Sequence, residues 1–127
     1  MNPPHPESPY KGKTGLRRVW NALGYSLAGF ADAYRHESAF RQEVALAAVL
    51  IPCSMFLPAS GAGHALMAGS ILLVLLVELL NSAVEAAVDR ISLENHLLAK
   101  RAKDIGSAAV LLSLIHVAVV WLLVLFF

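Results

Sequence analysis

Hydrophobic residues in this chain fall into long runs rather than the strict alternation of strands. The last 23 residues, Ile105 to Phe127, contain no Asp, Glu, Lys or Arg. At about 1.5 Å per residue they form a helix of about 35 Å, enough to cross a hydrocarbon core of about 30 Å. A second run, His64 to Val88, is interrupted only by Glu78 and Glu85. A third covers about 39–57, with Arg41, Gln42 and Glu43 near its start; its purely apolar part, Val44 to Leu57, is 14 residues and short by itself. It reads as a span because the segments on either side of it cannot otherwise both be placed. Pro52 is a candidate kink, and Pro58-Ala-Ser-Gly-Ala-Gly63 reads as a tight turn into the next span. Upstream, Leu16, Val19, Trp20, Leu23, Leu27 and Ala31 recur at helical spacing, with Arg17, Arg18, Asn21, Ser26 and Asp32 mostly elsewhere on the wheel. Such a helix, over about 16–36, suits the headgroup layer of an anionic leaflet. A helix packed on its neighbours would show the same pattern. Residues 1–15 are rich in Pro, Gly and Ser and read as a flexible tail without the apolar core of a signal peptide. The pattern predicts an all-α membrane domain over 16–127: an amphipathic surface helix, then spans at about 39–57, 64–88 and 105–127.

Composition agrees with the pattern. Of 127 residues, 57% are hydrophobic and 15% charged, against about 25% charged in soluble domains. That argues against a soluble enzyme, a disordered tail or a disulfide-stapled domain. The lone Cys53 has no intrachain partner, and no Cys/His pair has zinc spacing. A net charge of +1 gives no sign of a nucleic-acid partner. The distribution of charge says more than its sum. Lys11, Lys13, Arg17, Arg18, Arg35 and Arg41 precede the first span, and Arg90, Lys100, Arg101 and Lys103 lie between the second and third. These are all 10 basic residues, so the positive-inside rule puts the N-terminus in the cytoplasm and the C-terminus outside. No internal repeat of the kind transporters carry is evident.

The second span holds the candidate chemistry. On a wheel turning about 100° per residue from Glu78, Asn81 falls near about −60°, Ser82 near about +40°, Glu85 near about −20° and Asp89 near about +20°. The opposite face is Leu79, Leu80, Val84, Ala87 and Val88. Carboxylates within a bilayer are costly unless they face a bundle interior, pair with cations or meet a metal. A polar seam gluing helices together is the alternative, but Asn81 and Ser82 alone would suffice for that. Glu37, Arg41, Gln42 and Glu43 mark the same membrane depth on the first span, and Lys103, Asp104 and Ser107 on the third. Hard carboxylate oxygens favour Mg²⁺, and neighbouring Lys and Arg suit phosphate. Together they suggest chemistry between a phosphorylated soluble donor and a lipid acceptor. Gly12-Lys13-Thr14 only imitates a phosphate-binding loop: position 7 is Glu7 and no strand precedes it. The protein-kinase signatures are also missing. His116, mid-span, is expected to be hydrogen-bonded within the bundle rather than a ligand, and Cys53 to be a packing residue.

The stretches Glu37-Ser-Ala-Phe-Arg-Gln-Glu43, Glu78-Leu-Leu-Asn-Ser-Ala-Val-Glu85, Val88-Asp-Arg90 and Ala102-Lys-Asp-Ile-Gly-Ser-Ala-Ala109 strongly resemble the bacterial integral-membrane diacylglycerol kinase family, which includes undecaprenol kinases. The likeness covers about 15–125, and the 103–109 run looks more like the diacylglycerol branch. The resemblance implies a homotrimer in the bacterial inner membrane, with active sites at the cytoplasmic interface between adjacent subunits. It implies ATP-dependent phosphorylation of the primary hydroxyl of diacylglycerol to phosphatidic acid. By motif match Glu78 is the expected general base, and Glu37 and Glu85 the Mg²⁺ ligands. Nucleotide contacts are expected from Arg18, Tyr25, Glu37, Asn81, Glu85, Glu94, His96, Lys103 and Asp104. Substrate contacts are expected from Arg18, Ser26, Arg41, Glu43, Glu78 and Ser107. Asn21 stands where the family often has Lys, so no phosphate role is carried to it, and Leu93-Glu94 replaces a small polar–acidic pair. Undecaprenol kinase is the alternative within the family. A small proton-coupled transporter would want its carboxylate near the midplane, and a scaffold protein would need no carboxylate stripe.

The orientation makes a direct prediction. A Ser60→Cys substitution in the 58–63 turn should be labelled by an impermeant thiol reagent only from outside; labelling from the cytosolic side would reverse the topology.

Overall fold

The computed structural model describes residues 15–91 and 97–127. Their helices are α1 (Gly15–His36), α2 (Ser38–Phe56), α3 (Gly61–Ile91) and α4 (Leu97–Phe126). The chain divides after Asp32, inside α1, into a unit ending there and a unit from Ala33 to Phe127. Glu94 and His96 lie outside the described residues, as does all of the 1–15 tail except Gly15, which begins α1 with φ +67°. That left-handed conformation favours glycine.

α2, α3 and α4 are each long and apolar enough to cross a membrane. They begin and end near the expected points, except where charge adjoins them. α3 continues through Arg90 to Ile91, and α4 starts at Leu97, eight residues before the apolar run. Apolar runs mark where lipid contact ends, not where hydrogen bonding ends, and Lys, Arg and Leu are strong helix formers. The extension carries Lys100, Arg101, Lys103 and Asp104 on helix rather than loop.

α3 packs on both neighbours, more extensively on α4 than on α2. Its buried residues Gly63, Met67, Ser70, Ile71, Val74 and Glu78 recur at helical spacing along one stripe, with Ala68 beside it. Opposite them lie Phe40, Ala47 and Ser54 of α2 and Ser113 of α4. The buried serines close on their own helices: Ser54, Ser70 and Ser113 donate to the carbonyls of Ile51, Met67 and Val110 at 2.6, 2.7 and 2.6 Å. Small side chains so satisfied let apolar helices approach closely.

The turn between α2 and α3 is built as an N-cap. Ser60 Oγ accepts from the Gly63 amide at 3.1 Å, and His64 Nε2 donates to the Leu57 carbonyl at 3.0 Å. A Cβ on Gly63 would sit 2.9 Å from Val124 Cγ1, so the glycine permits close contact between the start of α3 and the end of α4. Nearby, the Trp121 indole N–H donates to Ser70 Oγ at 3.1 Å, with the Met67 carbonyl at 3.3 Å. At the other end of α2, Arg41 Nη1 donates to the carbonyls of Tyr34 and Arg35 at 2.8 and 3.0 Å. It thereby caps the end of α1, where Glu37 supplies no side-chain cap to α2. His116 on α4 and Cys53 on α2 are both exposed on the single chain.

Trp121→Phe removes the one side-chain bond described between α3 and α4 in this half. It should lower unfolding stability in micelles by about 1 kcal/mol; denaturant titration checks this.

Candidate active site

The stripe that packs α3 in one half becomes acidic in the other. Glu78 is 5% exposed, Asn81, Ser82 and Glu85 are half-buried, and Asp89 is exposed at the end. Leu80, Val84 and Ala87, on the opposite face, are exposed. The 100° periodicity that aligned the polar residues thus also aligns them with the helix contacts, as expected for polar groups seeking the bundle interior.

Antiparallel packing brings the start of α2, the end of α3 and the start of α4 to one end of the unit. Glu37 and Glu85 lie within electrostatic range of Glu78, and Glu43 is within range of Glu78 from α2. Among the described residues, no Lys or Arg forms an ion pair with any of these four. The cations nearby are otherwise engaged: Lys103 Nζ pairs with Asp89 Oδ1 at 2.5 Å, and Lys100 Nζ with Asp104 Oδ2 at 2.6 Å. The first pair joins α4 to α3; the second is an exposed i,i+4 pair on α4 alone, contributing little. Lys103 and Asp104 therefore take different partners although they are adjacent in sequence. Asp89, on the predicted stripe but without an assigned role, is the residue that holds Lys103.

Several oxygens here lack partners. Glu43 Oε2, Asn81 Oδ1 and Ser82 Oγ are buried with no hydrogen bond within the protein. Asn81 Nδ2 makes a long 3.5 Å contact to Glu85 Oε1. Gly106 of α4 crosses directly over Asn81, and a Cβ there would run into Asn81 Oδ1. The sequence pattern did not single out Gly106. Its only signal is a glycine within a helix, and the close approach that explains it is a property of two helices. Ser107, the next residue, is exposed. In the other unit, Arg18, Tyr25 and Ser26 lie on α1, with Ser26 Oγ donating to the Ala22 carbonyl at 2.9 Å.

Among the described residues no three carboxylate or imidazole side chains converge to enclose a metal. Mg²⁺ does not need them to, since it usually takes one or two carboxylates with phosphate oxygens and water. Hard, partnerless oxygens beside uncompensated carboxylates fit such a shared ion better than an all-protein cage.

Comparison with known proteins shows the family. Residues 24–125 match the prokaryotic diacylglycerol kinase family. The chain is 58% identical over 114 residues to a diacylglycerol kinase of Pseudomonas aeruginosa, covering 90% of this chain and 93% of that one. It is 50% identical over 114 residues to one from Haemophilus influenzae, covering 90% and 97%. With the Escherichia coli K12 diacylglycerol kinase the identity is 46% over 114 residues, covering 88% and 92%. A match over most of the chain, to relatives of about the same extent, leaves one assignment: the chain belongs to the prokaryotic diacylglycerol kinase family.

Proposed function

We propose that this membrane protein transfers the γ-phosphoryl group of ATP to the primary hydroxyl of diacylglycerol, giving phosphatidic acid, with Glu78 as general base. The observation that carries the assignment of the base is the burial of Glu78 among carboxylates, with no cation paired to it among the described residues. Relatives named diacylglycerol kinase support the lipid acceptor over undecaprenol. The reaction requires little covalent work from a protein; it requires positioning and neutralisation of phosphate charge.

Each part then has a physical task. Glu78 is the carboxylate furthest into the apolar part of α3, two turns or about 10 Å from Glu85. It meets a hydroxyl arriving from the bilayer and accepts its proton as the oxygen attacks the γ-phosphorus, whose bond to the bridging oxygen breaks to release ADP. Glu37 and Glu85 would hold Mg²⁺, which when bound neutralises charge on the phosphates. Asn81, Lys103 and Asp104 orient the nucleotide, together with Arg18 and Tyr25 of α1 and, by resemblance, Glu94 and His96. Lys103 reaches the phosphates by exchanging Asp89 for them, which costs little because both partners are substantially exposed. Arg18, Ser26, Arg41, Glu43 and Ser107 are assigned to the lipid side. For Arg41 this adds to a capping role already filled by Nη1.

The same reading places the protein in the bacterial inner membrane as a homotrimer, N-terminus in the cytoplasm. The apolar faces of α3 and α4 left exposed on one chain, including Leu72, Leu76, Leu111 and Leu112, are surface for lipid or further copies. At the cytoplasmic interface a lipid hydroxyl and a soluble nucleotide reach the same depth.

Glu78→Gln keeps the shape and removes the proton acceptor. Turnover should fall by about 10²–10⁴, while the protein remains folded and at least as thermally stable, since a buried charge has gone. Radiolabel transfer from ATP to diacylglycerol in micelles, beside nucleotide affinity and thermal unfolding, decides it; near-normal turnover in folded protein would remove Glu78 as base. Glu85→Gln should instead raise the magnesium concentration needed for half-maximal activity and weaken MgATP binding. An unchanged magnesium titration would move the metal elsewhere.

A further inference from the structure

We propose that Gly106 is a positioning residue for the nucleotide side of the site, acting through the Asn81 side chain; this rests on the role given above to Asn81 and Glu85.

Six other glycines fall in the described helices α1 and α3, and Gly106 differs from them; a Cβ on Gly15, at the start of α1, would also meet nothing within 4 Å. A Cβ on Gly24, Gly29, Gly61 or Gly69 would meet nothing within 4 Å. At Gly63 it would meet Val124 and Ala59, with Ser60 Oγ at an ordinary 3.5 Å, far along the unit from the carboxylates. At Gly106 it would collide with the Asn81 amide oxygen and lie 3.3 Å from Asn81 Cγ. Glycine inside a helix costs about 1 kcal/mol relative to alanine, so α4 alone would prefer alanine at 106. The reason for glycine lies across the interface, and it is a polar side chain of the site.

Asn81 needs such a wall. Its bond to Glu85 is 3.5 Å long, too weak to fix the amide, and its Oδ1 has no hydrogen-bond donor in the protein. The bare Gly106 backbone leaves one slot for that oxygen, against α4. With Oδ1 in the slot, Nδ2 is turned along α3 toward Glu85 Oε1, biasing that carboxylate to one orientation. A methyl group at 106 closes the slot. Either the Asn81 amide rotates, abandoning Glu85, or α4 is pushed away from α3 beside Lys103 and Asp104. Both move nucleotide-side groups, while Glu78, one turn earlier on α3, keeps its own surroundings.

Gly106→Ala separates this from a packing role. Side-chain amide resonances are recorded in micelles, with the Asn81 pair identified by its loss in Asn81→Ser. The Asn81 pair should shift in Gly106→Ala. kcat/KM for MgATP should fall by about 10²-fold, the usual scale for misplacement of about 1 Å, while KM for diacylglycerol and the unfolding midpoint stay near their original values. An unmoved Asn81 amide, or an unchanged kcat/KM for MgATP, overturns the proposal. A parallel fall in both substrates' parameters with a lowered midpoint would reduce Gly106 to packing and also overturn it. If Asn81→Ser itself keeps normal MgATP kinetics while the amide still shifts in Gly106→Ala, what fails is the nucleotide role of Asn81, not the contact.

Discussion

Uncompensated negative charge at one end of a small apolar bundle governs the rest of this structure. Glu37, Glu43 and Glu85 each lie within electrostatic range of Glu78, and among the described residues none of the four forms an ion pair with Lys or Arg, Lys103 acting on Glu85 only at longer range. Charges of one sign in low dielectric repel strongly, and a buried carboxylate without a partner is among the least favourable groups a fold can hold. Such an arrangement is tolerated where something else brings the opposite charge. Under the proposed function the opposite charge would come from a magnesium ion shared with nucleotide phosphates, the nearby lysines meeting the phosphates. In the structure Lys103 and Lys100 pair with Asp89 and Asp104 rather than with the four glutamates.

The same constraint explains why α3 is the central helix. Its contact stripe runs from Gly63 through Met67, Ile71 and Val74 to Glu78 without a change of phase, then continues into Asn81, Ser82 and Glu85. One helix face therefore carries apolar packing in one half and the polar cluster in the other. Anything that rotates α3 against α4 in the apolar half rotates the carboxylates too. Gly63 against Val124 and Trp121 against Ser70 hold the relation at one end; Gly106 against Asn81 holds it at the other, where the exposed Lys103–Asp89 pair adds little.

Much of this was legible in the chain because it is written in one dimension. The lengths of apolar runs locate α2, α3 and α4, and the spacing 78, 81, 82, 85, 89 places the polar residues on one face of one helix. The family motifs name the family, and the roles they imply residue by residue enter the proposed function. Relations between helices were not legible. That Arg41 caps α1, that Lys103 crosses to Asp89 while Asp104 stays with Lys100, and that Gly106 is a contact rather than a weak point all depend on which faces meet. His116 shows the limit from the other side. A polar residue in an apolar run suggests an inward-facing group, yet its position on the wheel turns it out of the unit. Its surroundings are then set by lipid or another copy.

The distribution of polar groups along the bundle also separates lipid kinase from transporter on physical grounds. A transporter needs polar groups that can exchange partners near the midplane, on a path open to both sides. The buried serines in the rest of this bundle do the opposite: Ser54, Ser70 and Ser113 each donate to a carbonyl of their own helix, and Ser70 also accepts from Trp121. Their bonds are used internally, which lowers what they can offer a passing ion. The oxygens still seeking partners, on Glu43, Asn81 and Ser82, are gathered at the charged end. Groups at that depth can be served by a lipid headgroup from one side and a nucleotide from the other, and nothing has to traverse the apolar half for them to meet.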